Sequence, residues 1–168
     1  HRVATKSIGF AKAVGNYAGT LLPYREIVEN GYDEIIFLNA SNENIIDEAR
    51  SANIFVLKDT VLKTPVLQGS ILPGITRDSV IKVASKIFNL DVREEDVSLD
   101  ELMNADEVFF TGTAAVIAPV GRIVYKNNEI RFKISFEESM TRKIRERLID
   151  IQYENIEDPF GWVIPLGR

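Results

Sequence analysis

The sequence predicts a mixed α/β or α+β fold in which helices pack on a sheet. Two observations lead to this prediction: helical and strand periodicities alternate along the chain, and 45% of its 168 residues are hydrophobic. That apolar content is enough to bury one sizeable core. No repeat, low-complexity segment or linker rich in Gly, Pro or Ser divides the sequence. We therefore expect a single domain over residues 1–168.

The first half of the chain predicts one helix followed by several strands. Apolar residues recur at helical spacing in YAGTLLPYREIVENG, residues 17–31, and the pattern ends at Gly31. Short segments rich in β-branched and aromatic residues follow, separated by clusters of Asn, Ser and Asp. These segments predict strands within residues 33–40, 44–49 and 53–65.

The second half predicts three helices and two strand regions. Thr76 precedes an apolar periodic run and is the predicted N-cap of a helix within residues 72–88. Ser98 and Glu101 have the spacing of a capping box at the start of a short helix. The remaining predicted elements are strands within 107–113 and 114–132, with KNNE as a hairpin turn in the second, and an amphipathic helix within 136–152.

Composition excludes several classes of function. The 20 basic and 25 acidic residues are scattered and sum to a net charge of -5, so we expect no nucleic-acid partner. Cysteine is absent and His1 is the sole histidine, which leaves lysine, tyrosine and carboxylates for any chemistry and predicts no metal site. No apolar run approaches the roughly 18 residues of a membrane span. A cytoplasmic protein without a membrane partner is the default expectation.

The segment GFAKAVGNYAG, residues 9–19, contains the strongest candidate nucleophile. Small or apolar residues surround Lys12, so its amine is expected in a crowded, partly desolvated place that lowers its pKa and favours Schiff-base chemistry. A solvated surface lysine is the alternative. Tyr17 follows, and its phenol would suit an oxygen on an electron-poor ring, although a half-buried core tyrosine fits the local sequence equally.

Three further segments suggest partners for a charged ligand. Glu48 stands between apolar strand segments and would need a cation such as a protonated pyridine nitrogen, unless it lies on an edge strand facing water. The first amides of the predicted helix, at Ile75 and Thr76, favour phosphate. The segment TGTAA, Thr111–Ala115, lets backbone amides approach an anion closely. Gly74 as a plain turn residue and Gly112 as a bulge are the alternatives.

Taken together, these segments resemble the branched-chain amino acid aminotransferases, which are fold-type IV pyridoxal-phosphate enzymes. The matching segments, in the order of the family, are AKAVGNYAGTLL, EARSANIFVLKDTVLKTP, GSILPGITRDSVIKVA and ADEVFFTGTAAVIAPVGRI. The resemblance covers nearly the whole chain. It implies the large domain of the D-amino-acid aminotransferase-like fold, with a mixed sheet partly closed into a barrel and flanked by helices. It also implies a homodimer that transfers amino groups between leucine, isoleucine or valine and 2-oxoglutarate.

The resemblance also assigns roles to residues. Lys12 matches the catalytic lysine that binds the cofactor covalently and then moves a proton between the substrate α-carbon and the cofactor. Tyr17 matches the tyrosine at the cofactor 3′ oxygen, and Glu48 the glutamate that keeps the pyridine nitrogen protonated. The implied phosphate-binding positions are Ile75, Thr76 and Thr113, and the implied substrate-binding positions are Thr113, Ala114 and Ala115.

The sequence departs from the family in two respects. Arg50 stands where the class signature prefers a small residue, and its guanidinium either binds a carboxylate near the ring or points outward. The family's smaller N-terminal domain, which supplies an arginine to the cofactor phosphate, does not occur in this chain. The alternatives are therefore a D-amino-acid aminotransferase, an aminodeoxychorismate lyase, or a non-catalytic binding domain. We expect either one piece of a longer polypeptide or a partner half supplied in trans.

Overall fold

Helices and strands alternate along the computed structural model, which describes residues 1–4, 6–133 and 135–164. The helices are α1 (Gly15–Ala18), α2 (Leu21–Glu29), α3 (Ile75–Lys86), α4 (Leu99–Met103) and α5 (Met140–Gln152). The strands are β1 (Ile36–Leu38), β2 (Ile45–Ala49), β3 (Asn53–Lys58), β4 (Val61–Thr64), β5 (Asp91–Glu94), β6 (Val97–Ser98), β7 (Glu107–Gly112), β8 (Val116–Pro119), β9 (Arg122–Tyr125) and β10 (Asn128–Arg131). Short 3-10 helices occupy Ile8–Phe10 and Phe136–Glu138. The predicted mixed α/β class is confirmed.

The main sheet has five strands in the order β5-β4-β3-β7-β8. β4 and β5 are parallel, and α3 provides the crossover between them, as parallel pairing requires. The other ladders of this sheet are antiparallel. A three-stranded sheet, β1-β2-β6, and a hairpin of β9 and β10 complete the described strands. Within the described residues these sheets stay separate, so the expected partial closure into a barrel is not confirmed.

Other elements cover both faces of the main sheet. Alternate residues of β3 point to opposite faces, so this strand contributes to the core on each side. Phe55 and Leu57 pack with α3 and α5, whereas Ile54 and Val56 pack with the three-stranded sheet and α4. On the helical face, Phe109 of β7 lies opposite Phe55 in the ladder, and their rings stack with centroids 5.1 Å apart. The core therefore consists of two layers separated by one buried sheet.

Several local predictions are confirmed. The capping box forms as expected, with Glu101 N donating to Ser98 Oγ at 3.1 Å and Ser98 N donating to Glu101 Oε2 at 2.8 Å. The hairpin turn between β9 and β10 contains Lys126, whose φ of 54° suits a tight turn. Gly31, with a φ of 80°, follows the end of α2 as expected.

Other local predictions need correction. The helix expected over residues 17–31 is divided into α1 and α2, and every residue of α2 stays at least partly exposed, including Leu22 at 66% exposure. The last helix begins at Met140 because Ser139 is its N-cap and accepts from Arg142 N at 3.1 Å. No helix in the described part of the chain combines the length and apolar character of a membrane span.

Candidate functional site

Residues from five separate segments line a small cavity of about 80 Å³ between β2 and the start of α3. Its lining includes six of the predicted site residues: Lys12, Tyr17, Glu48, Ile75, Thr76 and Thr113. A large cavity of about 1050 Å³ adjoins it and is lined by Ala114 and Ala115. Lys12 and Thr113 line both cavities, so they mark the boundary between the two.

Lys12 lies in a loop between the first 3-10 helix and α1. Asn16 stabilises this loop, because its buried side-chain amide donates to Ile8 O at 2.8 Å and to Ala11 O at 2.9 Å. The Lys12 side chain itself is exposed, so the expected crowded, partly desolvated amine is not observed. Open space adjoins it because two cavities meet at this residue. Tyr17 lies on α1 and is half-buried.

Glu48 lies on β2, the middle strand of its sheet, and is only 3% exposed. The edge-strand alternative is therefore wrong. Its Oε1 accepts from Arg2 Nη2 and from Leu72 N, the latter at 3.2 Å, and its Oε2 accepts from Asn53 Nδ2 at 3.2 Å. Burial raises the pKa of Glu48 to about 7, while Arg2 and the Leu72 amide act in the opposite direction.

The N-terminus of α3 forms another wall of the small cavity. Gly74 is the N-cap, with an extended ψ of 137°, and α3 already begins at Ile75. The prediction of Thr76 as N-cap is therefore wrong, because Thr76 lies within the first helical turn. The first amides of α3 have no intrahelical acceptor and are available to an anion. Arg77 is buried and fixes the helix by donating to Pro65 O and pairing with Glu94, each at 2.9 Å.

Thr113, Ala114 and Ala115 form the exposed turn between β7 and β8. Gly112 pairs with Val116 in the β7–β8 ladder without a register shift, so it is not a bulge. Val116 has a φ of 58°, which lets the chain reverse over this short distance. The turn thus places the backbone of these small residues at the edge of the large cavity.

Arg50 lines the small cavity but also contacts α2, since its guanidinium carbon lies 4.0 Å from the centre of the Tyr24 ring. This distance is typical of a cation–π contact. The Nε atom of Arg50 is buried and finds no hydrogen-bond partner among the described residues. The side chain therefore does not simply point outward.

Residues 9–123 match the family described as amino-transferase class IV. This range includes every site residue predicted above. The chain belongs to this family. The branched-chain-amino-acid aminotransferase 2, chloroplastic, of Arabidopsis thaliana is 41% identical over 166 residues, which are 99% of this chain and 42% of that protein.

Solved structures of branched-chain amino acid aminotransferases are similar in fold. The branched-chain amino acid aminotransferase of Escherichia coli superposes with a TM-score of 0.83 at 37% identity, over 96% of this chain and 52% of that one. The branched-chain amino acid aminotransferase of Thermobaculum terrenum, solved in its PLP-form, gives a TM-score of 0.78 at 28% identity, over 93% and 53%. This class IV chain spans about half the length of the relatives it matches.

Sequence reasoning missed two residues of this candidate site, Arg2 and Asn53. Arg2 is buried and donates to Gly9 O at 3.3 Å and Ser70 O at 2.9 Å in addition to Glu48. Asn53 donates to Leu72 O at 2.8 Å as well as to Glu48. Arg2 is 46 positions from Glu48, and no local pattern links residues that far apart. Asn53, which begins a buried strand, carried the only available signal: a polar residue before an apolar run.

Proposed function

We propose that this class IV aminotransferase chain binds pyridoxal 5′-phosphate in the small cavity and transfers amino groups between leucine, isoleucine or valine and 2-oxoglutarate. One observation carries the proposal: an amine, a buried carboxylate and free helix N-terminal amides, from segments distant in sequence, line the same cavity. The reported branched-chain relatives support this substrate class over a D-amino-acid aminotransferase or an aminodeoxychorismate lyase.

The chemistry of the lining groups fits this cofactor. Lys12 offers a primary amine for the cofactor aldehyde, and the amides of Ile75 and Thr76, with Thr113, suit its phosphate. Glu48 suits the ring nitrogen because its Oε2 accepts a single hydrogen bond from the described residues and keeps acceptor capacity. When bound, pyridoxal phosphate supplies an electron-withdrawing ring that stabilises negative charge at the substrate α-carbon.

Each residue has a distinct task in this proposal. Lys12 would hold the cofactor through its amine and would carry a proton on Nζ. Tyr17 would donate a hydrogen bond to the 3′ oxygen, and Glu48 would accept the ring N–H. The backbone amides of Thr113 and Ala114, with Ala115 beside them, bind the substrate α-carboxylate.

The large cavity accounts for the proposed substrate class. Aliphatic and aromatic residues contribute much of its wall, among them Ile36, Leu38, Leu102, Phe110 and Val120. Such a wall suits a branched aliphatic side chain, because apolar surface is removed from water on both partners. Arg50 lines only the small cavity, so its place favours no second carboxylate on the substrate side.

The proposal extends to the complete polypeptide. Residues 1–168 would be the cofactor-binding domain, and a smaller preceding domain would supply the remaining phosphate ligand and wall of the large cavity. Partial closure of the sheet into a barrel, a homodimer and a cytoplasmic location belong to the same proposal. They are supported by the resemblance to branched-chain aminotransferases.

The test uses the complete polypeptide that contains this chain. We expect it to absorb near-visible light with pyridoxal phosphate, to use L-leucine with 2-oxoglutarate, and to reject D-alanine. Borohydride should fix the cofactor on Lys12, as measured by peptide mass. Lys12→Ala should lower kcat by at least about 100-fold, because it removes both the covalent attachment and the proton carrier.

Lys143→Ala is the matched control, since Lys143 is an exposed lysine on α5 away from both cavities. It should keep full activity. Undiminished turnover by Lys12→Ala would contradict the proposed function, and turnover of D-alanine instead of L-leucine would contradict the substrate class.

A further inference from the structure

We propose that Arg2 is a positioning residue that divides the two carboxylate oxygens of Glu48 between separate tasks. Arg2 holds Oε1 within the protein, which leaves Oε2 to accept the N–H of the cofactor ring. This inference rests on the proposed function, and it concerns a residue that would act through Glu48.

The hydrogen bonds around Glu48 are unequal. A carboxylate has about four acceptor sites, two on each oxygen. Oε1 already accepts from Arg2 Nη2 and Leu72 N, and both of its sites are used. Oε2 accepts only from Asn53 Nδ2 among the described residues, at 3.2 Å. A ring N–H therefore finds its remaining acceptor site on Oε2.

Arg2 is well held for this task. Its side chain is 3% exposed, and the Nη2 atom that contacts Glu48 also lies within hydrogen-bond distance of two backbone carbonyls, Gly9 O and Ser70 O. These two backbones touch, since a Cβ added at Gly9 would overlap the carbonyl of Ser70. Because Gly9 precedes Lys12 by only three residues, Arg2 connects the lysine loop to the strand that carries Glu48.

Charge supports the same assignment. Two charged groups act on the Glu48 carboxyl: Arg2 favours its ionised form, and Asp47, the preceding residue on β2, disfavours it. Lys12 and Arg50 line the same cavity as Glu48. Burial already raises the pKa of Glu48 to about 7 with Arg2 in place. Removal of Arg2 would take away the positive charge that lowers the pKa of Glu48, while burial and Asp47 would still raise it. The Glu48 carboxyl would then hold its proton at neutral pH. A neutral carboxyl cannot stabilise a protonated ring nitrogen by charge.

The test compares Arg2→Met and Arg2→Gln with Arg2→Lys in the complete holoenzyme. The two neutral variants should move the acidic limb of the kcat profile upward by at least about one pH unit. Each unit corresponds to about a tenfold loss of kcat below the limb. Arg2→Lys keeps the charge and should restore most of the profile, and the KM for L-leucine should change less than about threefold in all three.

Two controls separate positioning from general stability. Arg77→Met removes another buried, ion-paired arginine and should lower the melting temperature without moving the acidic limb. In a Glu48→Gln background, Arg2→Gln should cause no further change in the profile, because Arg2 is proposed to act only through Glu48. A profile that moves equally with Arg77→Met, or that moves further in the double variant, would overturn the proposal.

A structure of the loaded wild-type enzyme tests the oxygen assignment even if the neutral variants do not fold. The ring nitrogen should lie within hydrogen-bond distance of Oε2, with Arg2 still on Oε1. A ring nitrogen bound to Oε1 would overturn the inference. This outcome can be told apart from failure of the proposed function. If the enzyme is active, depends on Lys12 and keeps the wild-type pH profile when Arg2 is replaced, only the proposed role of Arg2 is wrong.

Discussion

The carboxylate of Glu101 connects the main sheet to α4, because it contacts Lys63 on β4 and Ser98 at the start of the helix. Lys63 Nζ on β4 lies 2.6 Å from Glu101 Oε1 and 2.6 Å from Glu95 Oε1. Glu101 also accepts from the backbone and the hydroxyl of Ser98, each at 2.8 Å. The hydrogen bond from Lys63, followed by those from Ser98, lowers the pKa of Glu101 to about 2. The main sheet and α4 are joined through this carboxylate.

The lowered pKa predicts an acid-sensitive share of stability. Because the pKa of Glu101 is lower in the folded chain than its ordinary value of 4.5, its contribution is complete above that value and is lost as the pH falls toward 2. Glu101→Gln should reduce the free energy of unfolding at pH 6 by less than about 1 kcal/mol, since a side chain 41% exposed is screened by water. Urea titrations at pH 6 and pH 3 should show this difference narrowing with acidity.

Glu43→Gln is the control for this measurement, since Glu43 is exposed in the loop before β2. Its difference from wild type should stay near zero at both pH values. If the difference in free energy of unfolding between wild type and Glu101→Gln were larger at pH 3 than at pH 6, the role of Lys63 as the main partner of Glu101 would be contradicted.

Prediction from sequence succeeded at residues whose signal is local. Ser98 and Glu101 lie three positions apart, and their capping box formed as expected. The cation that faces Glu48 in this structure is Arg2, which sequence reasoning did not identify because the partners are joined only by the folded chain. Lys12 is exposed, which matches the alternative of a solvated lysine and not the expected crowded amine. The sequence left both interpretations open because exposure depends on two cavities built from distant segments.

At the scale of elements, the start of α3 is fitted closely to β3. The Cβ of an alanine at position 74 would overlap Asn53 Oδ1, although the backbone of Gly74 is one that alanine can adopt. Asn53 would have to move, and its hydrogen bonds to Glu48 Oε2 and Leu72 O would be lost or lengthened. The absence of a side chain at position 74 therefore lets the N-terminus of α3 lie close to Asn53, which in turn holds the buried carboxylate of Glu48.

Gly74→Ala should weaken cofactor binding and lower the free energy of unfolding by about 1–3 kcal/mol, the usual cost of disturbing buried hydrogen bonds. Absorbance titration with pyridoxal phosphate measures the first effect, and urea unfolding the second. Gly121→Ala is the matched control, because none of the described atoms beyond its chain neighbours lies within 4 Å of the added Cβ. Equal behaviour of the two variants would contradict the close fit at position 74.

Elements with strong patterns were predictable, and weak ones were not. β3 and β7 are apolar and were expected, whereas β5 is a short strand of mostly charged, exposed residues and gave no strand signal. It forms because α3 returns the chain alongside β4, which is a tertiary effect. The N-cap of α3 was misplaced by two residues because a glycine without a capping side chain serves there.

At the scale of the whole molecule, the main sheet divides the interior into two apolar layers. The stacked pair of Phe55 and Phe109 fills the layer beneath α3 and α5, and both rings are fully buried. Both helices also contact β7 directly. Damage at this pair should therefore affect the entire helical face of the sheet.

Phe109→Ala should lower the free energy of unfolding by about 3–5 kcal/mol, because it removes a large apolar side chain and leaves a cavity. Chemical denaturation of the complete polypeptide gives the value. Tyr153→Ala, at an exposed aromatic after α5, should change stability by less than about 0.5 kcal/mol. A loss below about 1 kcal/mol for Phe109→Ala would show that the layer can repack.

The division of the site into two adjoining cavities has a consequence for divergence among descendants of this protein. Side chains that line only the large cavity, such as Val124 and Tyr125, can change without altering the wall that Arg2, Glu48 and the start of α3 form. Substitutions in the wall of the large cavity can thus change the substrate preference while the groups that would carry out the reaction stay in place. Substitutions at Lys12 or Thr113 have no such freedom, since they alter both compartments at once.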